Sequence, residues 1–241
     1  MRSEDISHWG YDVERGTDKQ HRELSDPKTV AAKYIAAYRA LPLKRTRQIW
    51  ALRREFARSL EDAPPEFVLE VARALFYDYD NPGHASSLLM FHQETLGTLG
   101  EDEIEEFGGG INSRSAADAF ARRLSGPAWL KGQISDAQIH RWARSDDRWW
   151  RRAALVSTVA LNVRSQGGYG DVRRTLEVCR LLVDDRDDVV VNALSWALCE
   201  LVVHDPDAVR AFLHEYEDTL AARLKREVRN KLTTGLENKC G

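Results

Sequence analysis

No stretch of this chain alternates apolar and polar residues for long enough to make a strand, and that most limits what it can fold into. From Pro27 onward it is a succession of helical patterns joined by short loops, many marked by glycine or proline. Val30, Tyr34, Ala37 and Leu41 recur at helical spacing in one segment, and Ile49, Leu52, Phe56 and Leu60 in the next. Further helices are expected over 65–77, 84–96, 101–107, 115–124, 135–144, 149–162, 172–183, 189–203, 206–220 and 223–236. Asn81-Pro82-Gly83, Gly108-Gly109-Gly110, Gly167-Gly168 and Asp205-Pro206 punctuate them. The expectation is a single all-α domain over 27–236, with a polar N-terminal extension over 1–26 and a tail over 237–241. Arg152-Ala153-Ala154-Leu155-Val156 and Asn192-Ala193-Leu194-Ser195-Trp196 lie forty residues apart at matching places in helix pairs. That spacing fits a HEAT-like helical-repeat solenoid with a concave surface suited to a long partner such as DNA.

The segment Trp142–Leu161 concentrates the unusual chemistry. Five arginines fall within the twelve residues from Arg141 to Arg152, among three of the seven tryptophans. Ser145, Asp146 or Asp147 can cap the helix that follows. Arg148, Arg151 and Arg152 share its first-turn face, where cations oppose the macrodipole and call for an anion, internal or external. Arg152 lies deepest, beside the apolar helix body, so a structural ion pair and a phosphate contact are both open to it.

Charge is strongly segregated along the chain. Residues 27–59 carry nine Lys/Arg against one Glu, residues 60–111 one Arg against twelve Asp/Glu, and residues 112–164 ten Lys/Arg against four Asp. A chain with a net charge of −3 can therefore still meet a polyanion locally. Lys44, Arg45 and Arg47 form one local basic cluster, and Arg148 with Arg151 another. No apolar run approaches the roughly 20 residues of a membrane span. The first residues lack a signal core, and Cys179, Cys199 and Cys240 are too scattered for a disulfide framework or a zinc site. These features point to a reducing cytoplasm. Neither a phosphate-binding glycine loop nor a Ser/His/Asp motif is present, and the histidines show no H-x-x-x-H spacing.

Two further residues stand out. Asp118 lies in Asn112–Leu124, where Ser115-x-x-Asp118 matches a capping pattern. Asn192, Ser195, Trp196 and Cys199 share one face of a mostly apolar helix, a grouping that fits either a lined groove or an ordinary core tryptophan.

The order of IHRWARSDDRWWRRAALV, then DVVVNALSWALCELVVHDPDAVRAFLHEY, then LKREVRNKL resembles the AlkD-like glycosylases of the DNA alkylation repair family. That family typically shows a W-L-R-R-A-A helix, a K-A-I-G-W-x-L-R-E helix, an N-P-x-x-V segment and an R-E-A helix. The resemblance runs from about Lys28 to Leu232 and is strongest after Ile139. It implies HEAT-like repeats and excision of positively charged alkylated purines, N3-methyladenine and N7-methylguanine, from duplex DNA. It places the family's carboxylate on Asp118, its arginine on Arg152 and a lesion-site tryptophan on Trp196, with Tyr34 near a tyrosine that faces DNA. It also implies no metal, no cofactor and no deep base-binding pocket. The carboxylate would stabilise positive charge on the sugar, the arginine would hold a phosphate, and the tryptophan would attract the cationic base. Arg114 stands where the family has a second aromatic, Asn192 where it has a lysine, and Cys199 where it has an arginine. The expected protein is a monomer, nucleoid-associated when on DNA, with Arg114, Arg148 and Arg151 joining the Lys44–Arg47 cluster in backbone contact. Two rival functions use the same fold: a non-catalytic DNA-structure binder, and a protein-binding scaffold whose contact face is the acidic segment 60–111.

Overall fold

Side-chain caps start most of the helices. In the computed structural model, which describes residues 26–235, Asp26 opens α1 (Pro27–Ala40) by accepting from the Thr29 amide at 3.1 Å. The other N-terminal helices are α2 (Thr46–Ser59), α3 (Pro65–Arg73), α4 (Pro82–Phe91) and α5 (Gln93–Thr98). A second series follows: α6 (Glu101–Gly108), α7 (Arg114–Phe120), α8 (Gly126–Leu130), α9 (Asp136–Ala143), α10 (Arg148–Asn162), α11 (Val172–Arg180), α12 (Asp188–Val202), α13 (Pro206–Glu215) and α14 (Ala222–Thr234). The described residues contain no strand, so the protein is all-α there. No described helix is long and apolar enough to cross a membrane. Apart from Asp26, the extension over 1–26 and the tail over 237–241 lie outside the described residues, as does Cys240.

The chain divides between Thr98 and Leu99 into two compact units, a subdivision that the reading of one domain over 27–236 did not include. In the first unit the helix expected over 84–96 is broken at His92, whose backbone leaves the helical region at φ −91°, ψ 85°. The His92 ring explains the break: its Nδ1 accepts the Thr95 amide at 3.2 Å, so the histidine caps α5 instead of continuing α4. Five-residue π-helical turns extend α3 over Ala74–Asp78 and α7 over Ala121–Ser125.

In the second unit α10 packs against α7, α9, α11 and α12, and α12 packs against α14. Helix α10 is buried from Arg152 through Asn162, as its all-round apolar character requires. Small residues let α8 approach it: a side chain at Gly126 would meet the Ala160 methyl and the Ser157 carbonyl, and Ser125 and Ser157 share a hydrogen bond at 2.7 Å. Helices α10 and α12 begin alike. Asp147 accepts from the Trp149 amide at 2.8 Å, and Asp187 from the Val189 amide at 2.9 Å.

Glu105 on α6 holds α9 in place. Its carboxylate accepts from Gln138 Nε2 at 2.9 Å, from the Arg141 guanidinium at 2.7 Å and from Trp142 Nε1 at 3.1 Å. Burial alone would raise its carboxyl. The three hydrogen bonds and the Arg141 charge outweigh burial and hold it below its usual 4.5. A depressed carboxylate contributes stability that is complete above the unfolded value and is lost as pH falls through the folded one. Glu105→Gln is therefore expected to lower the melting temperature at pH 7, with the gap to wild type closing at pH values below 4.5. Melting curves from pH 7 to pH 3 check this; a gap that stays constant would remove the carboxylate charge from the account.

Candidate functional site

The site is built around one buried cation. Arg152 lies one turn into α10 and is 1% exposed. Its Nε donates to Asp118 Oδ1 at 2.7 Å and one terminal nitrogen to Asp118 Oδ2 at 2.9 Å, a two-pronged pairing of planar groups. The other terminal nitrogen donates to the Val189 carbonyl at 2.6 Å and to Asn192 Oδ1 at 3.3 Å. One guanidinium thus joins α7, α10 and the first turns of α12. Of the two roles left open for Arg152, the geometry selects the ion pair. In this arrangement the guanidinium is 1% exposed and its donors go to Asp118, Val189 and Asn192. Asn192 has a clear reason for not being a lysine here: an ammonium has no acceptor to offer Arg152.

Asp118 is held from below and open above, with its side chain 25% exposed. The capping role expected from Ser115-x-x-Asp118 does not occur. The helix starts one residue earlier, and Ser113 caps it by accepting from the Ala116 amide at 3.3 Å. This frees the Asp118 carboxylate for Arg152. Arg114 is exposed in the first turn of α7, one turn before Asp118. Arg122, about one turn after Asp118, is exposed and sits over the Trp196 ring at 5.8 Å from its centroid.

Trp196 follows Asn192 by one turn on α12, half-buried, with its Nε1 donating to Glu200 at 2.9 Å. Two rungs therefore run between the α7 run and α12: Asp118 to Asn192 through Arg152, then Arg122 to Trp196. The rest of the Trp196 face is not a lined groove. Asn192, Ser195 and Cys199 are buried, and Ser195 donates to Glu227 on α14 at 2.7 Å. Sequence reasoning missed Arg122. Its spacing of four from Asp118 was the available signal, but its partner Trp196 is distant in sequence.

The other expected contacts divide by burial. Arg151, 19% exposed, donates to Asp185 at 2.7 Å and to the carbonyls of Ser145 and Asp146, so it pins the α9–α10 loop. Arg148 is 51% exposed, reaches Asp187 at 3.3 Å and lies over Trp149. In the first unit Lys44, Arg45 and Arg47 are all exposed. Tyr34, expected to face DNA, is instead a core residue at 1% exposure, stacked on Phe56 at 4.2 Å and hydrogen-bonded through its hydroxyl to His84 Nδ1. Burial raises its hydroxyl far above the ordinary tyrosine value, more than the nearby Arg53 lowers it.

Among the described residues, then, a partly exposed carboxylate is oriented by a buried arginine, and a second arginine lies over the Trp196 ring. The family model for DNA alkylation repair enzyme matches residues 32–232, and the chain belongs to that family. No curated protein and no solved structure matches the chain.

Proposed function

We propose that this protein is a DNA glycosylase that excises positively charged alkylated purines, of the N3-methyladenine and N7-methylguanine type, from duplex DNA. The observation that carries the reading is Asp118: a partly exposed carboxylate whose two oxygens are oriented by a buried arginine, one helix away from a half-exposed tryptophan. An alkylated purine is a cation and a good leaving group. The C1′–N bond breaks and its electron pair leaves with the base, which departs neutral. Positive charge passes to the sugar, where the fixed Asp118 charge stabilises it. Water then adds its oxygen to C1′ and gives up a proton to the surrounding solvent, and in this reading Asp118 orients the attacking water. Arg152 serves as a positioning residue. The phosphate contacts pass to Arg114, Arg122 and Arg148, with Lys44, Arg45 and Arg47 in the first unit. Trp196 would pack against the lesion nucleotide, its ring attracting a cation by about 0.5–2 kcal/mol.

A HEAT-like repeat architecture is part of this proposal. Support comes from the recurrence of helix pairs in the second unit, α6–α7, α9–α10, α11–α12 and α13–α14. The Asp-capped starts of α10 and α12, at Arg148 and Asp188, are forty residues apart, within the HEAT range.

A non-catalytic DNA-structure binder is the second reading. It draws on Arg114 and Arg122, which flank Asp118, and on the place of Arg122 over the Trp196 face that a cationic base would need. One incubation separates the two: the full chain with a duplex containing N7-methylguanine, followed by chromatography of the freed base. Release is the expected result. Tight binding with no base released over hours would remove the enzyme reading and leave the binder.

A further inference from the structure

We propose that Arg122 is an internal competitor for the damaged base: its guanidinium fills the cation site on the Trp196 face in the free protein and gives way to a cationic base. The inference rests on the reading of Trp196 as the ring that packs against the lesion nucleotide.

The Trp196 ring is held ready for a cation. It is half-buried on α12, and its Nε1 donates to Glu200 Oε1 at 2.9 Å, one turn later on the same helix. That bond fixes the edge of the ring and sets a carboxylate beside a π-system whose faces already attract positive charge. The ring is not sealed in the core, unlike Trp129 and Trp142, which are 1% and 2% exposed.

A cation already stands on that face. Arg122 lies in the π-helical turn Ala121–Ser125 that extends α7, and its guanidinium carbon sits over Trp196 at 5.8 Å from the ring centroid. A guanidinium and an N-alkylated purine share the relevant chemistry: both are planar, delocalised cations that stack on an aromatic face. Arg122 is also free to leave. It is exposed, and among the described residues no carboxylate pairs with it, whereas Arg148, Arg151 and Arg152 are each matched to an aspartate. Displaced from the ring, its forked donors suit a neighbouring backbone phosphate, so the phosphate contact of the bound state and the ring contact of the free state belong to one side chain. A neutral base gains too little from the ring to displace a guanidinium. An unmodified duplex therefore binds through its backbone with Arg122 in place, and Arg122 lowers the affinity for a cationic lesion alone.

The test measures binding of the full chain to two duplexes of one sequence, by fluorescence anisotropy at fixed salt. One carries a central N7-methylguanine and the other guanine, and both carry a 2′-fluorine on that nucleotide. The fluorine opposes positive charge on the sugar and keeps the glycosidic bond intact, so the measurement reads binding and not release. For Arg122→Gln, a change at an exposed position, the preference for the methylated duplex is expected to rise by about two- to fivefold, the worth of an exposed cation–π contact. Loss of a phosphate contact weakens both duplexes alike and cancels in the ratio of affinities. In a Trp196→Leu background the same substitution is expected to leave the ratio unchanged, because the ring that both cations need is gone. A ratio that Arg122→Gln leaves unchanged or lowers, or a rise that persists without Trp196, would overturn the competitor. Release of base from a methylated duplex without fluorine is scored separately. Wild-type protein that releases none removes the glycosylase reading, while the affinity ratio alone decides the role of Arg122.

Discussion

Arg152→Ala is expected to cost about 3–5 kcal/mol of folding stability, whereas Arg148→Ala, on the same helix face four residues earlier, is expected to cost less than about 1 kcal/mol. The difference comes from burial and from the number of dependants. Arg152 is 1% exposed, and its removal leaves a carboxylate, a backbone carbonyl and the Asn192 amide oxygen without their donor, beside an empty volume on α10. Arg148 is 51% exposed and pairs with Asp187 at 3.3 Å, where water screens the pair and can replace it. Urea denaturation of both variants measures the contrast. Equal losses would mean that the guanidinium bridging three helices has no special structural weight. Arg152→Lys should recover only part of the loss, because an ammonium cannot reproduce the planar pairing with both oxygens of Asp118.

Asp118→Asn is expected to slow excision of N7-methylguanine by on the order of 100-fold while duplex affinity is retained, if Asp118 supplies about 3 kcal/mol of transition-state stabilisation. The substitution keeps the size of the side chain and one acceptor for Arg152. It removes the charge that would face the sugar, and it turns the second contact into two opposed donors. Single-turnover release and duplex binding should be measured at a temperature where the variant is fully folded. A parallel fall in binding and release would reduce Asp118 to an organiser of the surface; a loss confined to release supports the electrostatic role. The expectation is specific because Asp118 is 25% exposed and not sealed, so the charge can reach a bound partner.

The helices themselves were legible in the chain, for local reasons. Apolar spacing of three and four residues needs no partner to be recognised, and neither do caps such as Asp147, or Pro65 and Pro206 in first turns. The forty-residue relation between the Arg152 and Asn192 segments was also visible, and the two helices begin at matching places. The break at His92 was not, because apolar residues continue through it and only the ring's bond to Thr95 marks it. The cap of α7 was misread by two residues, since Ser113 and Ser115 are equally good caps by type.

What the three neighbouring arginines of α10 do was decided by tertiary structure alone. By spacing they are one basic patch. In the fold Arg148 pairs with Asp187, Arg151 with Asp185 and Arg152 with Asp118, at sequence separations of 34 to 39 residues. Tyr34 makes the same point from the other side: nothing local distinguishes a tyrosine at the surface from one buried against Phe56 and His84. Periodicity and capping are properties of adjacent residues and can be read from the chain itself. Whether a charge meets a partner or meets water depends on which helices pack together, and that is settled only when α7, α10 and α12 close around Arg152.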